Sequence, residues 1–66
     1  MDNIKEYEKF TKLLSKELFT LNEVRQFIEN DFVLNVSKEE PDKKRPNYNR
    51  YSIKLIDGDV YYVYVK

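Results

Sequence analysis

Cysteine and histidine are both absent from this sequence of 66 residues. Without cysteine no disulfide can form, and without either residue type no metal site can be built on thiolate or imidazole ligands. Histidine is also the side chain that titrates near neutral pH, and cysteine is a ready nucleophile, so acid–base and covalent catalysis lose their commonest groups. We therefore expect a single domain, residues 1–66, with no enzymatic activity, cofactor or metal.

Tryptophan and alanine are missing as well, and the chain has one glycine and two prolines. A domain of this size has only a small excess of packing energy over the chain entropy that it loses on folding. The aromatic residues, six tyrosines and four phenylalanines, are therefore expected to supply much of the buried surface.

The sequence also lacks an excess of charge and a long apolar run. Lysine plus arginine number 12 and aspartate plus glutamate number 12, which disfavours a nucleic-acid partner because phosphate binding needs positive charge. The longest apolar run, Val60–Val65, is too short to span a membrane, and residues 1–10 are charged and lack the apolar stretch of a signal peptide. We therefore expect a cytoplasmic protein with no membrane partner. The abundance of lysine, asparagine, isoleucine and tyrosine is typical of an AT-rich genome and favours a phage or mobile element as the source.

Apolar residues recur at helical spacing in two segments, 3–18 and 21–30. Thr20, followed three residues later by Glu23, has the pattern of a capping box, so the second helix is expected to start just after Thr20. The helical residues predicted to form the core are Ile4, Tyr7, Phe10, Leu14, Leu18, Leu21, Val24, Phe27 and Ile28.

Three further segments are rich in β-branched and aromatic residues, and we predict strands at 32–36, 48–56 and 59–65. The intervening residues 37–47 are mostly charged or polar and include both prolines, which is typical of a solvated loop. The order helix-helix-strand-strand-strand predicts an α+β fold in which two helices pack on a three-stranded, mostly antiparallel sheet. The last strand is expected at the centre of the sheet, flanked by 32–36.

Asp57-Gly58 predicts a tight turn between the last two strands, in one of two registers. A two-residue turn pairs Leu55 with Val60, Ile53 with Tyr62 and Tyr51 with Tyr64. A three-residue turn places Tyr51, Ile53 and Leu55 on one face with Tyr61, Val63 and Val65. Because the last strand is apolar on both faces, the sequence leaves the register open.

The second apolar face of the last strand is the feature that points to function. In either register, the side turned away from the helices carries aromatic residues beside cations, a combination that is enriched in protein interfaces. Such a face also suits base stacking by single-stranded nucleic acid, or cover by the charged loop. The candidate partner-binding residues are Arg50, Lys54, Tyr61, Tyr62 and Tyr64.

We favour a protein-binding module: a phage or mobile-element inhibitor or regulator of a host protein, of anti-defence type, that acts by occluding a surface. Formation of a homodimer through the same face is a variant of this hypothesis. The alternative is a nucleic-acid-binding regulator, because 20–30 followed by the hairpin resembles part of a winged helix. Its phosphate contacts would be Lys43, Lys44, Arg45 and Arg50.

Overall fold

The computed structural model describes residues 3–66, which form two helices and four strands. In chain order these are α1 (Asn3–Leu14), β1 (Leu18–Phe19), α2 (Leu21–Ile28), β2 (Val33–Glu39), β3 (Asn49–Leu55) and β4 (Val60–Val65). The strands form one mixed sheet in the order β1-β4-β3-β2, in which β1 runs parallel to β4 and the other pairs are antiparallel. The predicted α+β class is confirmed, with one more strand than expected.

The first helix ends earlier than predicted, at Leu14 rather than at residue 18. Glu17 adopts a left-handed conformation with φ 68°, which a continuing helix does not allow. The chain then runs extended as β1, in which Leu18 is exposed and Phe19 is buried. The prediction that Leu18 lies in the helical part of the core is therefore wrong, because its spacing from Leu14 suits a helix but its backbone belongs to a strand.

The second helix begins as the capping box predicts. The Glu23 amide donates to the Thr20 hydroxyl oxygen (3.2 Å), and the Thr20 amide donates to the Glu23 carboxylate (2.9 Å). The bond from the Thr20 amide lowers the pKa of Glu23, because it favours the charged carboxylate. The helix ends at Ile28, two residues short of the predicted boundary at residue 30.

The core lies between the helices and the inner side of the sheet. Its buried members are Phe10, Leu14, Phe19, Val24, Phe27, Ile53, Leu55, Val63 and Val65, with Tyr7 packed at the margin. Phe27 contacts the rings of Phe10 and Phe19 edge to face, with centroids 5.5 and 5.2 Å apart. These three phenylalanine rings fill the space under two short helices. Fewer helical side chains are therefore buried than predicted. The predicted core residues that are exposed instead are Ile4, Leu18, Leu21 and Ile28.

The hairpin between β3 and β4 adopts the three-residue register. The Leu55 amide donates to the Asp59 carbonyl (2.8 Å), and the Gly58 amide donates to the Leu55 carbonyl (2.9 Å). Gly58 has φ +96°, as a turn followed by a glycine bulge requires. Ile53 therefore lies opposite Tyr61, and the pairing predicted for a two-residue turn does not form.

The strand β2 begins at Val33 and continues to Glu39, beyond the predicted end at residue 36. Its last residue pairs with Arg50, so the first part of the predicted loop 37–47 belongs to the sheet. β2 pairs with β3 and not with β4, which corrects the prediction that 32–36 flanks the last strand. A register shift beside Leu34 leaves that side chain exposed.

A hydrogen bond ties α1 to the hairpin turn. The Tyr7 hydroxyl donates to the carboxylate of Asp57, and the Tyr7 ring packs edge to face on Phe32 with centroids 5.3 Å apart. The bond raises the pKa of Tyr7 to about 12, because the neighbouring carboxylate disfavours the phenolate. The same bond lowers the pKa of Asp57, because it favours the carboxylate.

These two shifts predict how the contribution of the Tyr7–Asp57 bond depends on pH. Because the pKa of Tyr7 is higher in the folded chain than its unfolded value near 10, the bond stabilises the fold fully below pH 10. This stabilisation is lost as the pH rises toward 12. Because the pKa of Asp57 is lower in the folded chain than its unfolded value of 3.8, the bond stabilises the fold fully above pH 3.8. This stabilisation is lost as the pH falls through the pKa of Asp57 in the folded chain. We expect the melting temperature of Tyr7→Phe to fall furthest below wild type between about pH 5 and 9, and the gap to narrow outside that window. A gap that stays constant across thermal melts from acid to alkaline pH would mean that Tyr7 acts through packing alone.

Candidate protein-binding surface

The sheet turns one side toward the helices and the other toward solvent. Since Ile53, Leu55, Val63 and Val65 are buried, the alternate residues of β3 and β4 lie on the outer side. There Arg50 lies opposite Tyr64, and Lys54 lies opposite Val60. We call the outer residues Arg50, Lys54, Val60, Tyr62 and Tyr64 the tyrosine face. It brings together four of the five candidate partner-binding residues.

Tyr61, the fifth candidate, lies on the other side of the sheet. It is opposite Ile53 on the inner face and packs partly buried against the core. The three-residue turn decides this placement, because it turns the odd-numbered residues of β4 inward. Tyr61 therefore packs at the margin of the core and is not a member of the tyrosine face.

Two arginines stack on the tyrosine rings of the outer face. The guanidinium carbon of Arg50 lies 4.1 Å from the centroid of Tyr62, and that of Arg45 lies 4.5 Å from the centroid of Tyr64. Each contact is a cation–π interaction, of about 0.5–1 kcal/mol at exposed sites. The Nε of Arg50 is buried and has no hydrogen-bond partner among residues 3–66. Each tyrosine ring is therefore covered on one face by a guanidinium group, which restricts its rotation.

The loop after β2 covers the tyrosine face at Tyr64. The Tyr64 hydroxyl donates to the Asp42 carboxylate (3.2 Å), and Arg45 forms an ion pair with Glu17 (3.5 Å). The Lys44 amide also donates to Asp42 (2.9 Å), and this bond, followed by the one from Tyr64, lowers the pKa of Asp42. Tyr64 is consequently half-buried under this cover loop, residues 40–48. The predicted cover by the charged loop is therefore present at Tyr64.

Tyr62 is the open part of the face, with 45% of its surface exposed. Its neighbour Val60 is exposed as well, and Lys54 lies beside them on β3. Tyrosine and the arginine stacked on it are two of the residue types enriched in interface hot spots.

The basic residues of the nucleic-acid alternative do not act as one set. Arg45 lies over Tyr64 and Arg50 over Tyr62, whereas Lys43 and Lys44 are exposed in the cover loop. The arginines thus turn their flat surfaces to the protein rather than outward as a strip of cations.

Asp42 and Glu17 belong to the site but were missing from the sequence prediction. Both hold the cover loop in place, through Tyr64 and Arg45 respectively. Asp42 follows Pro41 within a charged run, which is also typical of a solvated loop, so no local signal distinguishes it. Glu17 fell inside the predicted first helix, where it would have been an ordinary surface residue.

A groove runs along the free edge of β4 beside the tyrosine face. It has a volume of about 370 Å³ and is lined by Leu14, Ser15, Glu17, Val60, Tyr61, Tyr62 and Tyr64. One wall is the end of α1 and the turn that follows it, and the other is the strand itself. The groove exists because β1 pairs with β4 only at Tyr64 and Val65.

Neither α1 nor α2, the helices within residues 3–66, is long and apolar enough to cross a membrane. Comparison of the chain with protein-family models, with curated proteins and with solved structures gives no match.

Proposed function

We propose that this chain is a non-enzymatic protein-binding module that attaches to another protein through the tyrosine face. The observation that carries the proposal is Tyr62, an exposed aromatic ring held in place by the stacked Arg50. A ring whose rotation is already restricted loses less conformational freedom on binding than a free one, which raises affinity without a larger interface. Tyrosine and arginine are also two of the residues that dominate binding energy in protein interfaces.

Surface occlusion is the mode of action that suits this arrangement. The tyrosine face is one side of a sheet, and no part of the proposed mechanism requires the partner to be chemically altered. Together with an amino-acid composition typical of an AT-rich genome, this supports an inhibitor or regulator of a host protein, of anti-defence type, encoded by a phage or mobile element. The nucleic-acid alternative has less support, because Arg45 and Arg50 both lie flat on tyrosine rings.

The test is a quantitative pull-down from host lysate with the tagged chain and two variants. We expect Tyr62→Ser to weaken capture of the partner at least about tenfold, as loss of a hot-spot residue does. Leu34→Ser removes a similarly exposed apolar side chain on β2, away from the tyrosine face, and is expected to leave capture unchanged. Thermal melts of both variants should stay close to wild type. Equal capture by wild type and Tyr62→Ser would refute the proposal.

A further inference from the structure

The backbone of β4 has an edge that the fold leaves open. Along an antiparallel strand, successive residues point their amide and carbonyl groups alternately toward and away from the neighbouring strand. Because Asp59 bonds to Leu55 of β3, the backbone groups of Val60, Tyr62 and Tyr64 point away from β3. The Tyr64 amide donates to the Glu17 carbonyl (2.7 Å), which confirms this direction. The outward groups of Val60 and Tyr62 have no backbone partner within residues 3–66.

The other edge of the sheet differs in ways that protect it. β2 contains a register shift next to Leu34, carries Lys38 along its length, and is followed by Pro41. Bulges, lysines and prolines are the features by which proteins keep sheet edges from pairing with other chains. The β4 edge has none of these between Val60 and Val63, and it opens into the groove beside α1.

We infer that the β4 edge accepts a short extended segment of a partner protein as an additional strand of the sheet. This rests on the proposed function and specifies how the partner is held. Four outward backbone groups on Val60 and Tyr62 would bond the incoming strand in line with β1. One side of that strand meets Leu14 and Tyr61 in the groove, which suits apolar side chains.

The charge of the tyrosine face indicates which residue the segment carries on its outer side. Arg50 lies over Tyr62 and opposite Glu39 of β2, and its charge helps to lower the pKa of Asp42, so carboxylates of this chain already lie beside it. Lys54, opposite Val60 on the outer side, is exposed and forms no ion pair within residues 3–66. An aspartate or glutamate on the outer side of the incoming strand, level with Val60, therefore complements Lys54.

A second copy of this chain fits the same edge less well. Two copies could pair antiparallel along this edge, with Val60 of each copy opposite Tyr62 of the other. The hairpin turn of one copy would then lie alongside Glu17 and Leu18 of the other. That strand position is already filled by β1, where Glu17 bonds to Tyr64. The open edge is thus suited to the segment of another protein.

The test uses a phage-displayed library of linear dodecapeptides selected against the immobilised full chain. The enriched peptides are then synthesised, and their dissociation constants are measured for chains made by total chemical synthesis. N-methylation of the Tyr62 amide blocks the open edge and keeps the side chain. N-methylation of the Lys38 amide, which by the same alternation points outward from β2, is the matched control.

We expect enriched peptides to alternate apolar and polar residues around an acidic one, and to bind at least about tenfold more weakly to the Tyr62-methylated chain. The Lys38-methylated chain should bind as wild type, and Lys54→Ala should weaken binding of the acidic peptides. The absence of any enriched peptide, or equal binding by both methylated chains, would overturn the inference. So would a dimer that is seen by light scattering and lost on methylation of Tyr62, because the occupant would then be a second copy.

The same methylated chain separates this inference from the proposed function. If the pull-down loses the partner with Tyr62→Ser but retains it with N-methylated Tyr62, the tyrosine face binds protein without strand addition. The proposed function then stands and the inference is wrong. If Tyr62→Ser does not weaken capture while the enriched peptides still depend on the open amide, the edge binds peptides and the proposed role of the tyrosine side chain is wrong.

Discussion

Replacing Leu14 by alanine is expected to lower the free energy of unfolding by about 2–5 kcal/mol, whereas the same change at the adjacent Leu13 should cost about 1 kcal/mol or less. Leu14 is 1% exposed at the end of α1, and Leu13 is 42% exposed. Both variants lose the same atoms at neighbouring helical positions, so propensity effects cancel. The difference between them measures burial and the cavity left behind.

Urea unfolding followed by circular dichroism provides the measurement. Small domains have total stabilities of about 5–15 kcal/mol, so Leu14→Ala is expected to leave a fraction of the chain unfolded near physiological temperature. Similar losses at Leu13 and Leu14 would show that the end of α1 does not pack on the sheet in solution. The groove beside β4 would then lose one of its walls.

Local sequence signals predicted the elements that depend on nearby residues. The capping box of Thr20 and Glu23 located the start of α2, because both partners lie within one helical turn. The turn at Asp57-Gly58 predicted the hairpin for the same reason, since its strands are adjacent in the chain. The alternation of Tyr51, Ile53 and Leu55 identified the inner face of β3, which either register would bury.

The features that sequence reasoning missed depend on partners far along the chain. β1 is two residues long and exists as a strand only because Leu18 and Phe19 lie beside Tyr64 and Val65. Lys38 and Glu39 have little intrinsic strand preference, and they extend β2 because Tyr51 and Arg50 offer backbone partners. A two-residue pairing across more than forty positions leaves no periodic trace in the sequence.

The residues of the tyrosine face were predicted, but the sequence did not show which tyrosine ring the loop covers and which stays exposed. Sequence alone identified Arg50, Lys54, Tyr62 and Tyr64 as neighbours in one of two registers. It did not reveal that Arg45 would cover Tyr64, because the charged run around it is also typical of a solvated loop. The surplus of aromatic residues on β4 therefore divides into a ring that the loop covers and a ring that stays open.

Replacing Gly58 by alanine is expected to lower the free energy of unfolding by about 1–2 kcal/mol, although the new side chain would meet no other atom. A Cβ built at this position has nothing within 4 Å, so the cost arises from the backbone alone. Gly58 has φ +96°, which the bulged turn requires and which residues with a Cβ rarely adopt.

The control at Gly58 is asparagine, which adds a Cβ but tolerates positive φ better than alanine. Gly58→Asn is therefore expected to lie between wild type and Gly58→Ala in urea unfolding. If alanine were as stable as glycine, the hairpin would be able to form without the bulge.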